Sequence, residues 1–375
     1  MRIAVNTRFL LPGKLEGLGW YTHELLRRMV LAHPEDEFIF LFDRPFDPAF
    51  VYAPNVRPLV LFPPARHPVL WYLWFEWAVP RALRQQRAEV FFSPDSYLSL
   101  RTRVPTVLTV HDLAPLQHPE QVPGWPRAYY RYFLPRFIHR ATRLIAISAY
   151  TRAAILACTE APPERIQVVH NGSREGFVPL PEAEKTLVRA QFSAGQAYFF
   201  YTGAIHPRKN IPRLIRAFDR FRASSQTPVR LLLAGRFAWQ TGEVKTAFEA
   251  ARYRSDIQFL GYVPEADLKR LMASALALVY VSLSEGFGLP VLEAFHAEVP
   301  VICSSTTALP EVAGPAALLV DPVSDSAIAE ALQQVWENED LRLELIARGR
   351  LQRQAFDWEQ AAQAVYQAIR AAADR

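Results

Sequence analysis

The sequence predicts an α/β protein built from two doubly wound, mostly parallel sheets. Three observations lead there. Short apolar runs alternate with helical patterns along the whole chain. The alternation pauses at a polar, proline-containing stretch that ends near Gln196, then restarts. The length of 375 residues, half of them hydrophobic and 12% aromatic, suits two ordinary cores and leaves little room for long disorder.

In the first half, Ile3–Val5, Phe38–Phe42, Val56–Leu61, Val90–Phe92, Thr106–Val110 and Leu144–Ile147 read as strands. Tyr21–Leu31, Leu70–Arg84, Arg127–Arg140 and Tyr150–Ala157 carry helical spacing between them. Prolines cluster at 45–48, 54–68 and 115–126 and mark loops. In the second half the strands are Tyr198–Tyr201, Arg230–Ala234, Ile257–Leu260, Leu276–Val281, Val299–Cys303 and Ala317–Val320. Helical patterns follow near Pro212–Arg222, Val244–Tyr253, Glu265–Ala273, Pro290–Ala297, Ser326–Glu337 and Leu341–Ala355. This divides the chain into a first domain at 1–175, a linker at 176–196, a second domain at 197–356 and a last helix at 357–375. Sheets of this kind bind ligands at the carboxyl ends of their strands, and two facing sheets make one deep cleft.

The formal net charge is +5, and only five of the 42 basic residues are lysines: Lys14, Lys185, Lys209, Lys245 and Lys269. A moderate basic excess suits phosphate-bearing ligands or anionic lipid surfaces. The absence of Lys/Arg-only runs and of zinc-finger spacing argues against nucleic acid. Cys158 and Cys303 lie far apart, which is no disulfide framework and fits a reducing compartment. No secretory leader pattern opens the chain, so a cytoplasmic location is expected.

The most informative segment is SLSEGFGLPVLEAFHAEVPV, from Ser282 to Val301. A strand ends in a Gly-rich loop, and Pro290 marks the start of a helix. Gly286 and Gly288 allow close backbone approach to a ligand. A helix N-terminus attracts phosphate, while Glu285 and Glu293 offer acceptors for sugar or ribose hydroxyls. The bland alternative is an acidic helix start placed for the dipole. A second segment begins YTGAIHPRKN at Tyr201: after Gly203, Arg208 and Lys209 can neutralise a departing diphosphate. The alternative there is a solvated basic loop. At Gly261-Tyr262-Val263-Pro264, Tyr262 either stacks on a nucleobase or packs under the loop.

These segments resemble glycosyltransferase family 4, the group 1 glycosyl transferases, whose signature has two glutamates separated by seven residues with Gly-Phe-Gly between. The resemblance implies two Rossmann-like domains facing across a cleft, the GT-B arrangement. It implies that Glu285, with Gly286, Phe287, Gly288 and Leu289, holds the donor sugar, and that Glu293 holds the ribose. Gly203, Arg208 and Lys209 fall at the diphosphate, although Ala204 stands where one variant of the pattern has arginine. Tyr262 and Val263 fall beside the base. Gly17 and Gly19 fall in a flexible loop that meets donor phosphate and acceptor; they lack the third glycine of a dinucleotide fingerprint. His111, in the pair His111-Asp112 at a strand end, falls on the acceptor side, where it polarises either a sugar hydroxyl or the reacting centre. Ser148 matches a family position or is simply a helix N-cap, and Asn171-Gly172 matches the turn before the linker. The last helix of the family crosses back onto the first domain.

The resemblance implies a retaining hexosyltransferase. The His-Pro-Arg-Lys-Asn and His-Asp-Leu contexts look like mannosyltransferases that use GDP-mannose, with UDP-sugars next. The implied acceptor is a glycan or a lipid-linked oligosaccharide. The sequence has no Asp-x-Asp pair, no His-Glu-x-x-His and no phosphate-binding Gly-x-x-x-x-Gly-Lys-Ser/Thr loop, so neither a metal nor another cofactor is expected. The run WYLWFEW at 71–77 reads as a core helix with Trp71, Trp74, Phe75 and Ala78 inward, or as peripheral contact with an anionic membrane. An epimerase would need further acid/base carboxylates and a phosphorylase a cofactor lysine. A catalytically silent nucleotide-sugar-binding protein is the rival from outside the enzymes.

Overall fold

Two parallel sheets organise the chain, each in its own compact unit: Met1–Asn171 with the stretch from Asp357 onward, and Gly172–Phe356. The computed structural model describes residues 1–13, 15–122, 124–224, 228–238 and 242–374; Lys14, in the first Gly-rich segment, lies outside them.

In the first unit, seven strands are β1 (Arg2–Asn6), β2 (Glu37–Phe42), β3 (Val56–Val60), β4 (Val90–Ser93), β5 (Thr106–Val110), β6 (Arg143–Ala146) and β7 (Ile166–Val168). Their order is β3-β2-β1-β4-β5-β6-β7 and their pairings are parallel. Every residue of β4 and β5 is buried, as a strand covered on both faces requires. The order reverses direction between β1 and β4, so the loops after these strands diverge and leave room for a site. Strand β7 was not anticipated. It is three residues long, and Gln167 interrupts its apolar pattern.

Pro68–Gln85 forms one continuous helical rod with a π-helical stretch at Trp74–Ala78, just ahead of Pro80. A proline inside a helix lacks an N–H and crowds the preceding turn, and a wider turn relieves both problems. Trp74 and Phe75 are fully buried, whereas Tyr72, Leu73 and Trp77 face solvent. The buried Glu76 accepts from the backbone N–H groups of Leu100 (2.9 Å) and Arg101 (3.1 Å). The C-terminal helix, Trp358–Ala373, starts at an Asp357 cap and packs against the helix Gly17–Ala32 of the first unit. Tyr366 donates to Asp36 (2.5 Å) and Arg28 reaches Glu359 (2.8 Å).

In the second unit the strands are β8 (Tyr198–Thr202), β9 (Arg230–Ala234), β10 (Ile257–Gly261), β11 (Ala277–Tyr280), β12 (Val301–Ser304) and β13 (Ala317–Val320). Their order is β10-β9-β8-β11-β12-β13, again parallel. The stretch 176–196, expected to be a linker, is instead largely the helix Glu182–Ser193, packed on the helix Glu265–Ser274. Its charged composition hid two buried positions, Val188 and Ser193. Beyond the end of β8, Gly203 and Gly235 meet so closely that a Cβ on Gly235 would lie 1.9 Å from the Gly203 carbonyl oxygen. Only glycine fits there.

Candidate active site

In the second unit, β8 leads through Gly203 to a short 3₁₀ turn, Pro207–Lys209. His206 starts that turn by accepting from the Arg208 backbone N–H (3.3 Å) through Nδ1. Burial, together with Arg208 and Lys209, pushes its imidazole down to about 4, so it is neutral at physiological pH. Asn210 closes the turn in the left-handed region, at φ 62°. Its side-chain amide donates to the carbonyls of Val281 (2.9 Å) and Pro322 (2.7 Å) and pins the basic turn to the loop after β11.

Glu285 sits in that loop, nearly buried, with one cation on each oxygen. Arg208 Nη1 donates to Oε2 (3.0 Å) and Lys209 Nζ donates to Oε1. Lys209 also donates to the Tyr280 hydroxyl (2.6 Å), and Arg208 to the Ser284 carbonyl (3.0 Å). Burial alone would raise the carboxyl, but Lys209 and Arg208 overcome it and hold Glu285 down at about 2. The cluster is one carboxylate and two cations, with a net charge of +1. Such a cluster can accept hydroxyl donors through the carboxylate and offer its cations to an anion. Arg208 is the more open cation, its side chain 28% exposed against 9% for Lys209.

Gly288, at φ 110°, opens the helix Leu289–His296, in which Pro290 takes the second position. That helix carries Glu293 into the interior. Glu293 Oε1 accepts from Arg174 Nε (2.7 Å), while Oε2 has no partner among the described residues. A buried carboxylate oxygen without a donor is costly unless a ligand supplies one. The Phe287 side chain is buried edge-on against Phe356 and serves packing. Gly286 is likewise buried, and Leu289 half-buried. Tyr262 is 72% exposed, so it does not pack under its loop; Val263 beside it is half-buried.

In the first unit, His111 follows β5 with Nε2 2.7 Å from the Pro94 carbonyl. A carbonyl only accepts, so Nε2 carries the proton and Nδ1 keeps its lone pair. The ring meets Tyr21 edge-on at 4.6 Å, and burial lowers its pKa. Next to Pro94, Asp95 pairs with Arg8 (2.5 Å) from the loop after β1. Gly17 and Gly19, expected in a flexible loop, form the first turn of the helix Gly17–Ala32, with Gly19 close against the Phe9 carbonyl. The apolar stretch after them extends that helix one turn further back than its spacing suggested. Ser148 is an N-cap, accepting from Thr151 (3.0 Å).

The structure thus joins Arg208, Lys209 and Glu285 directly and gives Glu293 a separate partner. Sequence reasoning missed Tyr280, Arg174, Arg8 and Asp95. The one available signal for Arg174 was chemical: a glutamate pointing into a core needs a cation, and Arg174 follows the Asn171-Gly172 turn.

Residues 184–352 match the family described as Glycosyl transferases group 1, and residues 15–173 match Glycosyltransferase Family 4. O-antigen chain mannosyltransferase B of Escherichia coli is 31% identical over 92% of this chain and 93% of its own length. The chain belongs to the group 1, family 4 glycosyltransferases. The transferase is also 26% identical to O-antigen chain mannosyltransferase RfbU of Salmonella typhimurium, over 76% of each chain. Among solved structures, Anabaena HepE, crystallised with UDP and glucose, superposes with a TM-score of 0.76 at 18% identity, over 99% of the transferase and 100% of HepE. WaaG, a glycosyltransferase of lipopolysaccharide biosynthesis, gives 0.76 at 16% identity over 98% and 99%. At these identities the structural likeness speaks for the fold of the transferase.

Proposed function

We propose that this glycosyltransferase moves mannose from GDP-mannose to a growing glycan or lipid-linked acceptor of the O-antigen type, with retention and without a metal ion. Full-length likeness to a mannosyltransferase supports the sugar. The cluster of Glu285 with Arg208 and Lys209 carries the chemistry. In this reading Glu285 accepts hydroxyls of the donor sugar, and its two cations turn toward the diphosphate. The acceptor oxygen bonds to the anomeric carbon as the bond to the diphosphate breaks. The acceptor's hydroxyl proton passes to the departing phosphate oxygen. Charge accumulates on that phosphate, where Arg208 and Lys209 stabilise it most, and such groups are worth roughly 100- to 1000-fold in rate. Glu293 Oε2 takes a ribose hydroxyl, Tyr262 and Val263 lie along the base, and neutral His111 accepts from a substrate hydroxyl through Nδ1.

Among the described residues no group of three or more His, Cys, Asp or Glu side chains is placed to hold a metal ion. The cations of the chain take that role in our reading. The test is transfer of radiolabelled mannose in EDTA, with GDP-mannose and UDP-sugars as separate donors. Turnover with UDP-sugars alone would reassign the donor, and binding without turnover would leave a nucleotide-sugar-binding protein.

We further propose that the first unit works at an anionic bilayer surface. Among the described residues no helix is long and apolar enough to cross a membrane. Phe62, Tyr72, Leu73, Trp77, Trp125 and Tyr132 are all exposed. The helix Gly124–Arg140 carries four arginines and no acidic residue. It lies beside the aromatic rod, with Tyr72 6.0 Å from Phe133. Arg101 covers Trp77 at 4.3 Å and Arg136 covers Tyr132 at 3.7 Å. Interleaved aromatics and arginines suit the headgroup region.

A further inference from the structure

The loop after β1 carries a guanidinium that is almost wholly buried and mostly unused. The Arg8 side chain is 4% exposed. Its Nε–H is taken by Asp95 Oδ2 at 2.5 Å. The Asp95 carboxylate is in turn filled by other donors, since Oδ1 accepts from Ser93 Oγ (3.1 Å) and from the Tyr97 backbone N–H (3.1 Å). A guanidinium has five N–H donors. The four on Nη1 and Nη2 of Arg8 reach no acceptor among the described residues. Aromatic rings pack against the guanidinium, whose carbon lies over them, 4.0 Å from the Tyr97 ring centre, 4.7 Å from Phe9 and 5.2 Å from Phe75. Tyr130 joins Tyr97 through their hydroxyls (2.6 Å), and Trp71 lies 5.6 Å from Tyr97. Phe9, Trp71 and Tyr130 are each partly exposed.

We infer that Arg8, together with its aromatic surround, is a binding site for a sugar ring of the acceptor, and that Asp95 positions it. The inference rests on the transferase reading for the word acceptor, not for the site itself. Three features choose the ligand class. Asp95 already neutralises the guanidinium, so an anion gains little there. A planar donor edge matches the lone pairs of adjacent hydroxyl or ring oxygens. The partly exposed rings of Phe9, Trp71 and Tyr130 offer apolar surface to the C–H side of a sugar, beside a few placed polar groups. The site also adjoins His111, whose Nε2 is held by Pro94, the residue before Asp95.

The test titrates the full chain calorimetrically with linear α-mannotriose and, separately, with GDP. Arg8→Lys keeps a charge beside Asp95 but removes the Nη edge. Arg8→Met combined with Asp95→Asn removes both charges, so no buried carboxylate is stranded. We expect each variant to lose mannotriose affinity at least tenfold while GDP affinity stays within twofold. Equal mannotriose affinity in wild type and Arg8→Lys overturns the site. So does a wild-type protein that binds GDP but not mannotriose. If GDP fails to bind while mannotriose binding still depends on Arg8, the donor reading falls and the saccharide site stands.

Discussion

Arg174 donates to one oxygen of Glu293 and leaves the other without a donor. The pair is an ion pair with one acceptor left over, inside the fold. If a ribose hydroxyl donates to that second oxygen, Glu293→Ala should weaken GDP binding roughly 10- to 100-fold, the loss of a hydrogen bond to a charged acceptor. Calorimetry with GDP checks it, and unchanged affinity would end the ribose assignment. Arg174→Ala should behave differently. It strands a buried carboxylate, at a cost of about 3–5 kcal/mol. A drop in Tm largely restored by adding Glu293→Gln is the expected pattern.

Glu285→Gln should lower kcat for mannosyl transfer roughly 100- to 1000-fold, because Arg208 and Lys209 lose the carboxylate that orders them. Arg208→Ala and Lys209→Ala should act in the same direction. Steady-state kinetics at saturating donor separates this from a binding defect, which would appear in KM alone.

Glu285 also sets an acid dependence of stability. Its folded value near 2 lies below the ordinary carboxylate range. The stabilisation is therefore fully present above about pH 4.5 and lost as pH falls toward 2. Between these limits, Tm should fall more steeply in the wild type than in Glu285→Gln. Parallel curves would show that the three groups do not titrate as a unit.

Burial lowers the pKa of His111, so it should remain neutral throughout the neutral range. The acid limb of kcat/KM should then lie below pH 6.5, since protonating Nδ1 removes its lone pair. In His111→Asn the overall rate should drop and that limb should vanish. A limb centred above 6.5 in the wild type would contradict the buried, neutral imidazole.

Transfer should continue undiminished in millimolar EDTA. The protein should also co-sediment with phosphatidylglycerol vesicles at low salt and be released as salt rises. Trp77→Ser with Trp125→Ser should cut the bound fraction several-fold without changing GDP affinity. Indifference of the wild type to anionic vesicles would remove the bilayer proposal and leave the donor site untouched.

What could be read from the sequence was local. Glu285, Glu293, Gly286 and Gly288 lie within one strand–loop–helix segment, and Arg208 and Lys209 lie together in another, so spacing alone disclosed them. The strands were legible because doubly covered sheets need unbroken apolar runs. Strand β7, with Gln167 in its middle, broke that rule and was missed. The helix Glu182–Ser193 lies where the sequence predicts a linker, because polar composition is the signature of both a linker and a lightly anchored surface helix. Arg8 and Asp95 lie 87 positions apart and meet only because β1 and β4 are neighbours. No local pattern announces such a pair. Arg174 and Glu293, 119 positions apart, pose the same difficulty.

The C-terminal helix has a consequence for biosynthesis. Trp358, Val365, Ile369 and Ala372 are buried in a unit whose other residues end at Asn171. A ribosome therefore releases most of that unit early and its closing helix last. The stretch Gly172–Phe356, which is contiguous, can complete its own fold during translation. The first unit waits with the apolar side of its Gly17–Ala32 helix uncovered until Trp358–Ala373 has been made, which makes premature termination near residue 357 a route to aggregation rather than to a shorter working protein.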